Sequence, residues 1–152
     1  MAYITSTYPG LTATARPDFS NDSDLPIIDI SSPRMPTTYV YNIYNESRQD
    51  PTNLQHTIER KLIHNTPQPQ TVLTGDMNAH HPWWNTTRKP QRGNNLVAWA
   101  EMNDVILLNE PDIRTYMSRS HNTQSVLDLI FITPDLDEFV INWAIDEEAL
   151  SR

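Results

Sequence analysis

Two rhythms run through the apolar positions of the chain. In "TTYVYNIYN", Thr37 to Asn45, β-branched and aromatic residues alternate as they do in a strand. "AYITST" near the start and "LPIIDIS" from Leu25 are shorter runs of the same leaning. "TVLTG", Thr71 to Gly75, reads as a buried strand, "VILLN" from Val105 as another, and "SVLDLIFIT" and "EFVINWAI" as two more near the end. Between them the rhythm changes to a helical one. "DPTNLQHTIERKLIH" places Asp50 as an N-cap and Pro51 at the first helical position, with Leu54, Ile58 and Leu62 at four-residue intervals. "NTPQPQ" stops that helix, and "GNNLVAWAEMND" predicts a second one with an Asn cap. Strands interleaved with helices favour a layered α/β or α+β architecture, in which loops at strand ends commonly carry the functional groups.

Composition sharpens this picture in three places. The 152 residues suit a single domain, and no internal repeat, low-complexity tract or linker divides them. A formal charge of -8 makes unaided attraction to a phosphate backbone weak, so a nucleic-acid role needs a cation. With Cys 0 there is no thiol nucleophile, disulfide or Cys-ligated zinc site. The N-terminus lacks a basic region followed by an apolar core, and no apolar run approaches the roughly 20 residues of a membrane span, so a soluble intracellular chain is expected. Nucleus and cytoplasm are not distinguished. Asn-x-Ser/Thr triplets at Asn21, Asn45 and Asn85 carry little weight without a secretory signal.

The densest chemistry lies in "TVLTGDMNAHHPWWN". Asp76 and Asn78 follow the strand expected to end at Gly75, and alternate positions on an extended chain face the same way. There a carboxylate can orient water or hold a hard cation, and an amide can donate to a phosphoryl oxygen without adding repulsion. The competing reading, about equal in weight, is a turn in which Asp and Asn bond their own backbone. His80 and His81 are adjacent, so on an extended segment at most one faces the site, and solvated or packing roles suit them better. His64 and His121 have less claim still. Trp83 and Trp84 could stack on bases but are more often packing anchors beside a proline. Trp99 and Trp143 are expected in the core. Arg88, Lys89 and Arg92 in "TTRKPQRGNN" form the sole local concentration of positive charge, either a phosphate-contacting loop or a solvated entry to the second helix.

"LTGDMNAHHPWW" resembles the Gly-Asp-x-Asn motif of the endonuclease/exonuclease/phosphatase superfamily, and especially of the endonuclease domains of non-LTR retrotransposons. "YNIYN" is similar to the strand that carries a phosphate-contacting Tyr there, which maps to Tyr44. "RTYMSRSHNTQSVLDLIF" resembles the later Thr and Ser-x-x-Asp-Leu-Ile segment, mapping to Thr115 and Asp128. The likeness runs from about Tyr39 to Trp143, in the family's order. It implies an α+β fold, part of a two-sheet β-sandwich flanked by helices in four layers (α/β/β/α), with the site at one edge of the sheets. It also implies Mg²⁺-dependent hydrolysis of DNA phosphodiesters. In that scheme Asp76 positions or activates water, Asn78 stabilises charge on the phosphate and Tyr44 helps hold it. Asp128 and Thr115 support the site through hydrogen bonds, and Arg88 and Arg92 are candidate substrate contacts.

The family pattern also has a metal-binding Glu upstream of the Tyr and a closing Ser-Asp-His segment. Neither has a counterpart here: Glu46 follows Tyr44 in the wrong order, and the chain ends at "DEEALSR". The expectation is therefore a single domain over residues 1–152, incomplete at both ends, with unassigned metal ligands and impaired cleavage. Exposed sheet edges would favour self-association. The competing expectations are a noncatalytic remnant that acts as a binding or interaction module, and a different metallohydrolase with Asp76, His80 and His81 as ligands.

Overall fold

The computed structural model describes residues 10–46, 57–84, 91–111, 113–117 and 124–145. In chain order the elements begin with β1 (Thr12–Ala15), β2 (Ile27–Ser32) and β3 (Met35–Tyr44). Helix α1 (Thr57–Arg60) leads through a 3₁₀ turn at Leu62–His64 to β4 (Thr71–Asp76). Helix α2 (Gln91–Met102) precedes β5 (Ile106–Leu107), and β6 (Tyr116–Met117) and β7 (Gln124–Ser125) pair antiparallel as a separate two-stranded sheet. Strand β8 (Asp128–Ile132) and a 3₁₀ segment at Pro134–Phe139 follow.

Six strands make one open, mixed sheet in the order β1-β2-β3-β4-β8-β5. Among the described residues only β3 and β4 run parallel, and parallel neighbours need a crossover. The segment carrying α1 provides it. Ile27, Tyr41, Ile43, Leu73, Leu129 and Phe131 lie on one face of the sheet and are buried with Ile58, Leu62, Leu96, Val97 and Trp99 from the helical side. Each aliphatic or Phe side chain among them contributes about 1.5–3 kcal/mol by leaving water. The alternate positions Ile28, Val40, Val72 and Ile130 are half-buried on the opposite face. There a cleft of about 480 Å³ lies between Val72, Ile130 and Ile132 and the segment around Phe139 and Trp143.

The α+β class and the long strands agree with the periodicity, and several details differ from it. The edge strand β1 was not anticipated; all four of its residues are exposed, so no apolar alternation marks them. Helix α2 already includes Gln91, so Asn94 and Asn95 lie inside it instead of capping it. "EFVINWAI" is not a strand: it ends a 3₁₀ segment and continues irregularly, with Ile141 fully exposed and Trp143 outside the core. A β-leaning run becomes a strand only where a neighbour offers a ladder, and among the described residues none does so here. "AYITST" and the first part of the Asp50 helix, including its cap and Leu54, lie outside the described residues.

Candidate functional site

Strand register alone brings three of the motif residues into a row. Tyr44 on β3 is opposite Asp76 on β4, and Asp76 is opposite Asp128 on β8. Residues directly opposite one another across neighbouring strands share a face, so all three side chains emerge on the side away from the helices, at one end of the sheet. Tyr44 is exposed, and Asp76 is half-buried between its neighbours.

Asn78 joins the row by a different route from alternation. The strand runs one residue past Gly75 and ends at Asp76, after which the chain turns, with Asn78 in the left-handed region at φ 41. The Asn78 amide N–H donates to Asp76 Oδ1 at 2.9 Å, the local backbone bond of an Asx turn. The Asn78 side chain then donates from Nδ2 to the Asn45 carbonyl at 2.7 Å. Asn45 is fully buried and works from both ends of its amide: Nδ2 donates to the Met77 carbonyl at 2.8 Å, and Oδ1 accepts the Ile58 N–H at 3.1 Å. Its own N–H donates to the Asp76 carbonyl at 2.8 Å. One buried amide thus ties the ends of β3 and β4 to the first turn of α1, and its burial is incompatible with glycan attachment at that triplet in the folded chain.

The far side of the row is braced similarly. Thr115 Oγ1 accepts the backbone N–H groups of Leu127 at 3.0 Å and Asp128 at 2.9 Å, which holds the bend between β7 and β8. Asn109, nearly fully buried, donates from Nδ2 to the Asp128 carbonyl at 3.0 Å and accepts the Ile130 N–H at 2.7 Å. Its side chain replaces a rung of the sheet ladder beside Asp128. Neither Asn45 nor Asn109 stands out in the sequence as a site residue; the only sign is an amide closing an otherwise apolar run.

Burial pushes the Asp76 carboxyl above the usual carboxylate range, and the nearby charge of Asp128 adds to that, while the Asn78 hydrogen bonds and Arg92 oppose it. Asp128 is exposed as a whole residue, yet its carboxyl is sufficiently enclosed for desolvation to raise it as well, against the hydrogen bond from Thr115. Two facing carboxylates that resist ionisation are a site that gains from a cation.

A family model described as endonuclease-reverse transcriptase matches residues 38–151. The chain belongs to this family. Among solved structures, it is similar to the endonuclease domain of TRAS1, a telomere-specific non-LTR retrotransposon, with a TM-score of 0.75 and 21% sequence identity over 93% of this chain. That likeness concerns the fold, and the chain spans 63% of the other structure's length. No curated protein matches the chain.

Within this endonuclease-family chain, the other polar candidates have mostly structural partners. Arg92, in the first turn of α2, donates from Nη1 to the carbonyls of Glu46 at 3.1 Å and Asn78 at 3.0 Å, so its guanidinium braces the two strand-end loops. Arg88, Lys89 and His121 lie outside the described residues, as does the triplet at Asn85. His81 Nδ1 accepts the Trp83 N–H at 3.2 Å, and the His80 backbone packs against Gly93. Among the described residues no group of three or more His, Cys, Asp or Glu could hold a metal, so Asp76, His80 and His81 do not form a metal cluster. Trp84 is the packing anchor, fully buried with Nε1 donating to the Ala79 carbonyl at 3.1 Å, whereas Trp83 is 40% exposed. Trp99 is in the core, and its Nε1 donates to the Asn65 carbonyl at 2.9 Å. No helix among the described residues is long and apolar enough to cross a membrane.

Glu46 belongs to a separate ionic cluster. Its carboxylate accepts the N–H and the hydroxyl of Thr57 at 3.1 and 3.0 Å and meets Arg60 at 3.3 Å, while Arg60 also reaches Asp22 at 3.0 Å. Burial works against its ionisation, but its own backbone N–H, both Thr57 donors and Arg60 outweigh that and lower the carboxyl to about 2. A depressed carboxyl stabilises the fold fully above its ordinary 4.5, and that contribution is lost as pH falls through about 2. Glu46→Gln should therefore lose stability at neutral pH, and its urea midpoint should decline less steeply than wild type on acidification below about pH 5. Parallel acid profiles for the two proteins would contradict this account.

Proposed function

We propose that this chain is the nucleolytic part of a metal-dependent endonuclease that hydrolyses phosphodiester bonds in DNA. The observation that carries the reading is the register that sets Tyr44, Asp76 and Asp128 in one row on one face, with Asn78 held beside them. Phosphoryl transfer depends mainly on positioning and on electrostatic stabilisation, and each of these groups has a part in that scheme. Asp76, a carboxylate made more basic by burial and by Asp128, orients an attacking water and accepts its proton. Asn78 has one N–H committed to Asn45, which fixes the amide plane and leaves the second N–H for a phosphoryl oxygen. The exposed Tyr44 hydroxyl donates to another phosphoryl oxygen. Arg92, Asn45, Thr115 and Asn109 hold these groups through the backbone.

The donor set suits a hard cation. Mg²⁺ commonly binds through one or two carboxylates together with waters and substrate phosphates, and Asp128, opposite Asp76, supplies one such oxygen donor while Asp76 keeps its carboxylate for the water. Bound there, it would offset their repulsion and the charge of the phosphate. The net charge of -8 makes the same demand from the substrate side. The exposed edge strand β1 supports self-association along the sheet as a further property of this domain.

One observation favours a second reading, a noncatalytic nucleic-acid-binding module. Glu46 is committed to Thr57 and Arg60, and among the described residues no third carboxylate completes a metal cluster. Nicking of supercoiled plasmid by the purified chain decides between the two. Mg²⁺-dependent nicking that EDTA abolishes is the expected result. A folded chain that binds DNA and leaves the plasmid intact would select the binding module instead.

A further inference from the structure

The loop that follows the site presents one aromatic ring to solvent and fixes it from three sides. Trp84 locks the Pro82–Trp84 turn into the core by its full burial and its bond to the Ala79 carbonyl. The first turn of α2 lies directly against the same loop: a Cβ on Gly93 would meet the His80 carbonyl oxygen at 2.0 Å, so only glycine permits the approach. His81 sits between the two tryptophans, with ring centroids 6.0 Å from Trp83 at 84° and 5.4 Å from Trp84 at 41°. Its Nδ1 also accepts the Trp83 N–H. Trp83 is thus 40% exposed on a backbone that has little freedom to withdraw it.

We propose that Trp83, in T-shaped contact with His81, is a nucleobase-stacking subsite of the nuclease site. The inference rests on the nuclease reading above and names the part of the substrate that the phosphodiester row does not touch. Trp83 is five residues beyond Asn78, and an extended chain of that length reaches at most about 18 Å. At ~3.4 Å per nucleotide along a strand, the stacked base lies within about five nucleotides of the scissile phosphate. Every base offers a π-face, so such a contact adds affinity without reading sequence. It suits this chain physically. An acidic protein cannot rely on phosphate contacts for affinity, and a ring already held in place loses little freedom on binding. Stacking needs an unpaired base, so the subsite selects a single-stranded or frayed stretch next to the cut.

The test is fluorescence anisotropy of an end-labelled thymidine oligomer of about ten nucleotides and an end-labelled abasic backbone of equal length, at low salt with Ca²⁺ in place of Mg²⁺ so that neither is cut during the titration. The thymidine oligomer should bind wild type and quench its tryptophan emission. Trp83→Ala should weaken its binding by roughly 5- to 150-fold, the factor that corresponds to one stacked base at about 1–3 kcal/mol. Binding of the abasic backbone should be unchanged, and Trp83→Phe should retain most of the affinity. Equal affinity of Trp83→Ala and wild type for the thymidine oligomer, an equal loss for both oligomers, or no binding of either oligomer by wild type would each overturn the proposal. Plasmid nicking separates the two readings: nicking with a Trp83 that makes no difference sinks only the subsite. Base-dependent binding through Trp83 without nicking sinks only the nuclease.

Discussion

Asp76→Asn should lower plasmid nicking by about 10²–10⁴-fold and at the same time raise the stability of the folded chain at neutral pH. The two effects have one cause. Asp76 is half-buried and faces Asp128, and both circumstances oppose its ionisation in the folded state. A carboxyl raised in this way binds its proton more tightly when folded than when unfolded. Stability therefore falls as pH rises from its ordinary 3.8 through the raised value, and stays lower above it. Asparagine removes the charge, keeps the Oδ1 that accepts the Asn78 N–H, and so retains the turn. It cannot accept a proton from water. The difference in melting temperature between variant and wild type should be small in acid, grow across that pH range and then level off. A variant that melts below wild type at neutral pH would show that the Asp76 carboxylate is a structural group and not one whose ionisation the fold resists. Such opposition between stability and activity is usual where a site holds charge that its surroundings disfavour.

Gly75→Ala should be the most destabilising single substitution in the motif, by at least about 4 kcal/mol. Gly75 lies inside β4 at φ 133, a conformation that side chains rarely adopt, and is registered against Ile43 of the parallel neighbour β3. A Cβ there would be 2.0 Å from the Ile43 carbonyl oxygen and 2.9 Å from the carbonyl carbon and amide nitrogen. All three atoms are backbone, so no side chain can swing aside. Either β3 and β4 separate or the strand rotates, and rotation would take Asp76 out of line with Tyr44 and Asp128. Domains of this size are commonly stable by only 5–15 kcal/mol, so the substitution should remove from about a quarter to most of the stability. Urea unfolding followed by far-ultraviolet circular dichroism measures the loss. A midpoint near that of wild type would mean that the close approach of the two strands is not needed for folding.

The residues of the candidate site were legible because they are concentrated in short motifs. Tyr44, Asp76, Asn78, Thr115 and Asp128 stand in recognisable local patterns, and the structure brings them into one neighbourhood. The groups that hold them there were not legible. Asn45 looks like the polar end of a strand, and its importance comes from Met77 and Ile58, 32 and 13 residues away. Asn109 bonds to a strand about 20 residues later, and Arg92 reads as a basic loop residue until Glu46 and Asn78 appear in front of it. Adjacent Trp83 and Trp84 are chemically equivalent in the sequence, and only the position of the core makes one an anchor and the other a surface ring.

By itself the sequence determined the strand and helix periodicity, the absence of thiol chemistry, the acidic balance and the order of the motifs. All of these are local or additive properties. The tertiary structure decided which strands pair and in what register, that Asp76 and Asp128 face each other, and that the turn after Asp76 is made by an Asx bond in place of continued alternation. It also decided that "EFVINWAI" has no ladder to join and that Glu46 serves Thr57 and Arg60. These outcomes depend on long-range partners, because a buried amide or carboxylate takes its role from whichever donor or acceptor folding places opposite it.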